Sequence, residues 1–173
     1  GTATQFNLPY AVVVNGKYAY VTGQNDDALS IIDISNPASP AEVGTIKDGV
    51  GATQLDGASG LTVIGTYAYV ASQTDDSLSV IDISDPASPS EVGTIKDGVG
   101  ATELDSARQV YVSGRYAYVV SATDDSMSVI DISNAASMSE AATIKDGVGA
   151  TELNNATGIV VAGKYAYVVS SLD

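Results

Sequence analysis

The chain has 173 residues, enough for one domain, and its 45% hydrophobic and 16% charged content excludes a disordered polyelectrolyte and a coiled coil. Seven basic residues stand against 21 acidic ones, a formal charge of −14, which argues against nucleic acid and anionic lipid as partners. With no His and no Cys, a Ser-His-Asp triad, a thiol nucleophile, a disulfide and an ordinary zinc site are all excluded, and no apolar run approaches the ~20 residues of a membrane helix.

The chain begins at Gly1 rather than Met, so it reads as a processed form or a fragment. Gly1–Gly16 aligns with Val50–Gly65, the end of a preceding unit. Tyr-Ala-Tyr-Val then starts at Tyr18, Tyr67, Tyr116 and Tyr165, a strict 49-residue period. Three copies begin at Lys17, Thr66 and Arg115, and a fourth begins at Lys164 and reaches Asp173.

Each copy predicts four short strands, best seen in the second. Strand A covers Gly60–Ile64, strand B Tyr67–Ser72, strand C Leu78–Ile83 and strand D Glu91–Lys96. Gly65-Thr66 supplies a tight A–B turn, Thr74–Ser77 the B–C turn, and Asp85-Pro86-Ala87-Ser88-Pro89 the C–D connection. No segment keeps a 3.6-residue period, so no helix is expected. Strand C is apolar on both faces over much of its length, as in a sheet covered on both sides. Tyr67 and Tyr69 lie two apart and share a face, so their recurrence predicts aromatic packing between adjacent sheets.

Complete A–D sets span roughly Tyr10–Lys47, Gly60–Lys96 and Gln109–Lys145, while the fourth copy supplies A and B alone. The expected fold is all-β, with β-propeller-type blades of four antiparallel strands and about three and a half blades in one repeat domain, 1–173. The blades divide as 1–59, 60–108, 109–157 and a half-blade at 158–173. Such an arc leaves an open strand edge and two apolar faces, and Val12, Val14, Tyr165, Tyr167 and Val168 are the expected interface residues.

Leu78-Ser79-Val80-Ile81-Asp82-Ile83-Ser84-Asp85-Pro86-Ala87-Ser88-Pro89, then Val92-Gly93, then Gly114–Val119, resembles the LVIVD-repeat family. The resemblance covers nearly the whole chain and implies a β-propeller of bacterial and archaeal surface and secreted proteins. It brings no shared catalytic residues. The long D-to-A connection Lys96–Asp105 departs from the family's shorter unit.

Candidate sites are few. Asp26-Asp27, Asp75-Asp76 and Asp124-Asp125 fall in the B–C turns, on the side expected to carry Asp48, Asp97, Glu103, Asp105 and Asp146. Such carboxylates are weak candidates for Ca²⁺, and Asp-Asp as turn chemistry is the simpler reading. Asp33, Asp82 and Asp131 read as strand-end carboxylates that bond the following turn. Lys47-Asp48, Lys96-Asp97 and Lys145-Asp146 read as turns with a nearby ion pair. Asn155-Ala156-Thr157 matches a glycosylation sequon. The Gly-Val-Gly segments at Gly49, Gly98 and Gly147 precede no helix and so are not phosphate loops. Arg108–Tyr111 diverges from the other copies, and Arg108 and Tyr111 are candidate binding residues.

The functional expectation is a non-enzymatic, extracellular structural protein that associates with itself into a filament, sheath or surface array, without a cofactor. A secreted or cell-surface binding module for a protein or glycan is the alternative, and a carboxylate-based hydrolase or lyase the third reading.

Overall fold

The computed structural model describes residues 6–150 and 152–172. Expectations for Gly1–Gln5 of the lead-in, Thr151 in the third D-to-A connection and Asp173 at the end of the fourth copy lie outside the described residues.

Every regular element among the described residues is a strand. The first sheet runs in chain order through β1 (Pro9–Asn15), β2 (Tyr18–Gly23), β3 (Ala28–Asp33), β4 (Ala41–Asp48) and β5 (Gly51–Ala52). The second contains β6 (Ala58–Ile64), β7 (Tyr67–Ser72), β8 (Ser77–Asp82), β9 (Ser90–Asp97) and β10 (Gly100–Ala101). The third contains β11 (Ala107–Ser113), β12 (Tyr116–Ser121), β13 (Ser126–Asp131), β14 (Ser139–Asp146) and β15 (Gly149–Ala150). A two-stranded sheet follows, β16 (Ala156–Ala162) and β17 (Tyr165–Ser170).

The first four strands of each full sheet are antiparallel neighbours, because two-residue links such as Gly65-Thr66 return the chain beside itself. Gly65 takes φ of 58°, a conformation that costs a residue without Cβ little. The fifth strand differs from the expected four. It is two residues long and parallel to the fourth, with Lys96 opposite Gly100 and Asp97 opposite Ala101. The Gly-Val-Gly segment makes this possible: Gly98 and Gly100 have φ of 68° and 88°, so the chain loops tightly and runs forward again beside β9.

The core consists of two apolar layers between successive sheets. The first joins Leu29, Ile31, Ile46 and Leu55 to Leu61, Val70, Ile81 and Ile83. The second joins Tyr69, Leu78, Val80 and Ile95 to Val110, Val119 and Ile130. β8 serves both layers, with Ile81 in one and Leu78 and Val80 in the other, which accounts for its apolar character on both faces. Polar atoms stitch the same layers: Thr22 Oγ1 donates to Ser59 O at 2.6 Å, and Thr62 Oγ1 donates to Val110 O at 2.7 Å. Tyr20 and Tyr69 are buried in these layers, and that burial, with a neighbouring tyrosine second, pushes their phenols above the usual range.

Candidate interaction surface

The aspartate pairs of the B–C turns hold the sheets in register. The first member of each pair binds the connection of its own unit: Asp26 Oδ2, Asp75 Oδ2 and Asp124 Oδ2 accept from the backbone N–H groups of Asn7, Asp56 and Asp105. The second member reaches the next unit: Asp27 Oδ1, Asp76 Oδ1 and Asp125 Oδ1 accept from the N–H groups of Gly57, Ser106 and Asn155 at 3.0, 2.9 and 2.7 Å. Asp27, Asp76 and Asp125 all have φ near 54°, which Asp tolerates better than most residues. Among the described residues, no group of three or more Asp or Glu side chains is placed to hold a metal ion.

Other carboxylates have equally local work. Asp48, Asp97 and Asp146 each accept, through Oδ1, the N–H seven residues on, at Leu55, Leu104 and Leu153. Asp33, Asp82 and Asp131 accept the N–H two residues on, at Ser35, Ser84 and Ser133, closing the turn after strand C. Those bonds hold the three carboxyls below the usual range, chiefly through hydrogen bonds from Ser35, Ser84 and Ser133. Asp56 and Asp105 shift the other way, first through burial, then through neighbouring carboxylates: Asp27 and Asp75 for one, Asp76 and Asp97 for the other.

Two of the strand-D lysines, Lys96 and Lys145, find partners elsewhere than the adjacent Asp. Lys96 Nζ lies 3.7 Å from Asp75, and Lys145 Nζ lies 2.6 Å from Glu103 and 3.7 Å from Asp124. Asn155 uses its side-chain amide too, donating from Nδ2 to Ser171 Oγ at 2.6 Å. Arg108 and Tyr111 sit inside β11, not on a loop, and both are half-buried between the neighbouring hairpins. Arg108 Nε is buried without a hydrogen-bond partner.

Beside Val50, Val99 and Val148 of the Gly-Val-Gly loops and Ile64 of an A–B turn, the exposed apolar surface forms two groups at opposite ends of the stack. Val12 and Val14 of β1 are 63% and 61% exposed, whereas Leu61 and Val110, equivalents of Val12, are 3% and 1% exposed, and of the equivalents of Val14, Val112 is buried and Val63 half-buried. Tyr165 and Tyr167 of β17 are 58% and 57% exposed, whereas of the equivalents of Tyr167, Tyr20 and Tyr69 are 4% and 6% exposed and Tyr118 is half-buried. Val168 points the other way. It lines a cavity of about 290 Å³ together with Met127, Ile144, Leu153 and Ala166, between the third sheet and the β16–β17 hairpin. Nothing in the sequence of one repeat announces this cavity. It becomes legible only when the lining residues are moved back two repeats, onto Leu29, Ile46, Leu55, Ala68 and Val70 of the first core layer.

Solved structures with the same fold place the chain in a class. A Lactobacillus plantarum protein superposes with a TM-score of 0.74 at 18% identity, over 92% of this chain and 50% of its own. The Pseudomonas aeruginosa periplasmic gluconolactonase gives 0.70 at 13%, over 94% and 42%, and Kuenenia stuttgartiensis hydrazine synthase gives 0.64 at 21%, over 85% and 38%. The chain thus spans half or less of the length of these structures, and identities this low establish fold alone. The class is an all-β, propeller-like repeat protein. The LVIVD-repeat family model matches residues 10–48, 57–97, 105–146 and 154–172, and the chain belongs to that family. A comparison with curated proteins found no match.

Proposed function

We propose that this chain is a non-enzymatic, extracellular structural repeat protein that associates with itself through the faces and edges of its blades. On this reading each full sheet is a blade of four antiparallel strands with a short parallel addition, and the chain carries about three and a half blades. The observation that carries the reading is the contrast between outer and inner copies of one surface. Tyr167 and Val12 occupy positions that are buried between the three full sheets, at Tyr20 and Tyr69 and at Leu61 and Val110, and half-buried beside the last hairpin, at Tyr118 and Ile159. The Tyr-rich face of one copy and the Val-rich face of another are the two halves of an interface that the chain already makes twice. Joining them is a head-to-tail contact, which closes into a ring or continues as a filament or array. Burying each exposed Val or Tyr contributes about 1.5–3 kcal/mol before association costs. A charge of −14 keeps such an assembly hydrated and disfavours nucleic acid.

A non-enzymatic role is supported by the absence of His and Cys and by the backbone bonds that occupy the turn carboxylates. The periplasmic gluconolactonase named above shares fold at 13% identity and transfers no active-site residue. Binding of a protein or glycan is the second reading, and the unpartnered Arg108 Nε favours it. Light scattering tests the first. A mass that rises above 17.5 kDa with concentration is expected, and a constant 17.5 kDa through the micromolar range contradicts it.

A further inference from the structure

Each seam between neighbouring sheets gathers carboxylates around one short run of backbone. The N–H groups of Leu55, Asp56 and Gly57 donate to Asp48 Oδ1, Asp75 Oδ2 and Asp27 Oδ1 at 3.1, 2.8 and 3.0 Å. One repeat on, Leu104, Asp105 and Ser106 donate to Asp97 Oδ1, Asp124 Oδ2 and Asp76 Oδ1 at 3.0, 2.8 and 2.9 Å. Consecutive N–H groups thus hold carboxylates from two sheets: Asp27 and Asp48 of the first with Asp75 of the second, then Asp76 and Asp97 of the second with Asp124 of the third. The middle residue of each run, Asp56 or Asp105, adds one more carboxyl after these donors are occupied. Asp56 hydrogen-bonds Asp27, and Asp105 hydrogen-bonds Asp76, a contact between carboxyls that forms only when one of the two holds a proton.

The last seam has the same frame without that group. Leu153 and Asn155 N–H donate to Asp146 Oδ1 and Asp125 Oδ1 at 3.1 and 2.7 Å, and the residue between them is the amide Asn154. The lysines nearby serve other carboxylates: Lys96 lies 3.7 Å from Asp75, and Lys145 lies 2.6 Å from Glu103 and 3.7 Å from Asp124. Burial, then Asp27 and Asp75 about Asp56 or Asp76 and Asp97 about Asp105, outweigh the Thr74 and Thr123 hydroxyls and hold both carboxyls above the usual range. Asp124 is raised as well, by burial first, against the Asp105 N–H that lowers it.

We propose that the seams at Asp56 and Asp105 are proton-operated locks that hold neighbouring sheets together more tightly at about pH 4.5 than at pH 7, while the Asn154 seam has no such response. A proton from solvent goes onto the Asp56–Asp27 or the Asp105–Asp76 pair and is shared between the two carboxyls. Asp27 and Asp76 keep Oδ1 on the N–H of Gly57 and Ser106, so the same side chain then ties the next sheet twice. At neutral pH the proton leaves, and two carboxylates repel across the seam. A carboxyl raised by folding stabilises the fold as pH falls toward about 4, where the unfolded chain takes up the same proton and the gain stops growing. Below that, Asp33, Asp82 and Asp131, which the fold holds low, lose their turn bonds, so stability passes through a maximum in mild acid. The lock works within a single chain, whether or not chains associate.

The test compares amide hydrogen exchange in the full chain at about pH 4.5 and at pH 7, corrected for the intrinsic pH dependence of exchange. Gly57 and Ser106 N–H should gain at least about threefold in protection at the lower pH, and Asn155 N–H, which donates to Asp125 in the neutral seam, should not. The Asp56→Asn, Asp105→Asn chain should show high protection at both pH values. The Asn154→Asp chain should transfer the response to Asn155. Equal pH dependence at Gly57, Ser106 and Asn155 in the parent chain overturns the lock. So does a response that survives in the doubly substituted chain, or an Asn154→Asp chain in which Asn155 stays indifferent.

Discussion

The second aspartate of each B–C turn spans from one repeat to the next. Asp76 combines φ of 54° with a 2.9 Å bond to Ser106 N–H, which packing alone does not replace. Asp76→Ala should cost about 1–3 kcal/mol in equilibrium urea unfolding, and Asp76→Asn should recover most of it, because Asn retains an acceptor and tolerates positive φ. Asp105 is the opposite case, raised by burial and by Asp76 and Asp97. A carboxyl raised in the folded state binds protons there that the unfolded chain has released, so its contribution to stability falls as pH rises through and above about 4. Asp105→Asn should therefore melt higher than the parent at pH 7, with the difference vanishing below about pH 4 and shrinking in high salt. Asn already stands at the equivalent positions Asn7 and Asn154. Asp82, lowered by its bonds to Ser84, contributes in the reverse sense: its stabilisation is present above the unfolded pKa and lost as pH falls. Turn chemistry was the simpler reading of the Asp-Asp pairs from sequence, but the reach of Asp76 to the next repeat was not visible, because it depends on how the sheets stack.

At the scale of elements, strands B and C were legible nearly to the residue. Tyr67–Ser72 is β7, and Leu78–Ile83 falls one residue from β8. Val, Ile and Tyr between Gly and Asp clusters carry that signal. The fifth strand was not legible, because Gly100-Ala101 has no strand propensity and forms only after Gly98 turns the chain. Close approach between sheets was hidden as well. Gly93 looks like a weak point in β9, yet it admits the backbone of Ala135 and Ala136 from the third sheet. Gly93→Ala should destabilise the chain by about 1–3 kcal/mol in thermal or urea unfolding, since backbone must move to admit one methyl. The same pair of residues at position 142 should differ by no more than about 1 kcal/mol, with Ala the more stable. An equal loss at both sites would contradict the close approach assigned to Gly93.

At the scale of the molecule, a strict 49-residue period makes every inner surface a copy of another. Tyr20 and Tyr69 show what the face carrying Tyr167 packs against, and Leu61 and Val110 show the same for Val12. The outer faces were legible in sequence as apolar positions, and Tyr165, Tyr167, Val12 and Val14 are exposed together at the two ends. Val168 belongs to the cavity instead, because neighbouring residues on a strand point to opposite sides. Head-to-tail association makes a specific demand on mixtures. A Val12→Lys chain keeps the Tyr face, and a Tyr167→Lys chain keeps the Val face. Each alone should remain at 17.5 kDa in sedimentation velocity, whereas an equimolar mixture should give a discrete 1:1 complex. A mixture that sediments only as monomer, while the unmodified chain assembles, would contradict pairing between these two faces.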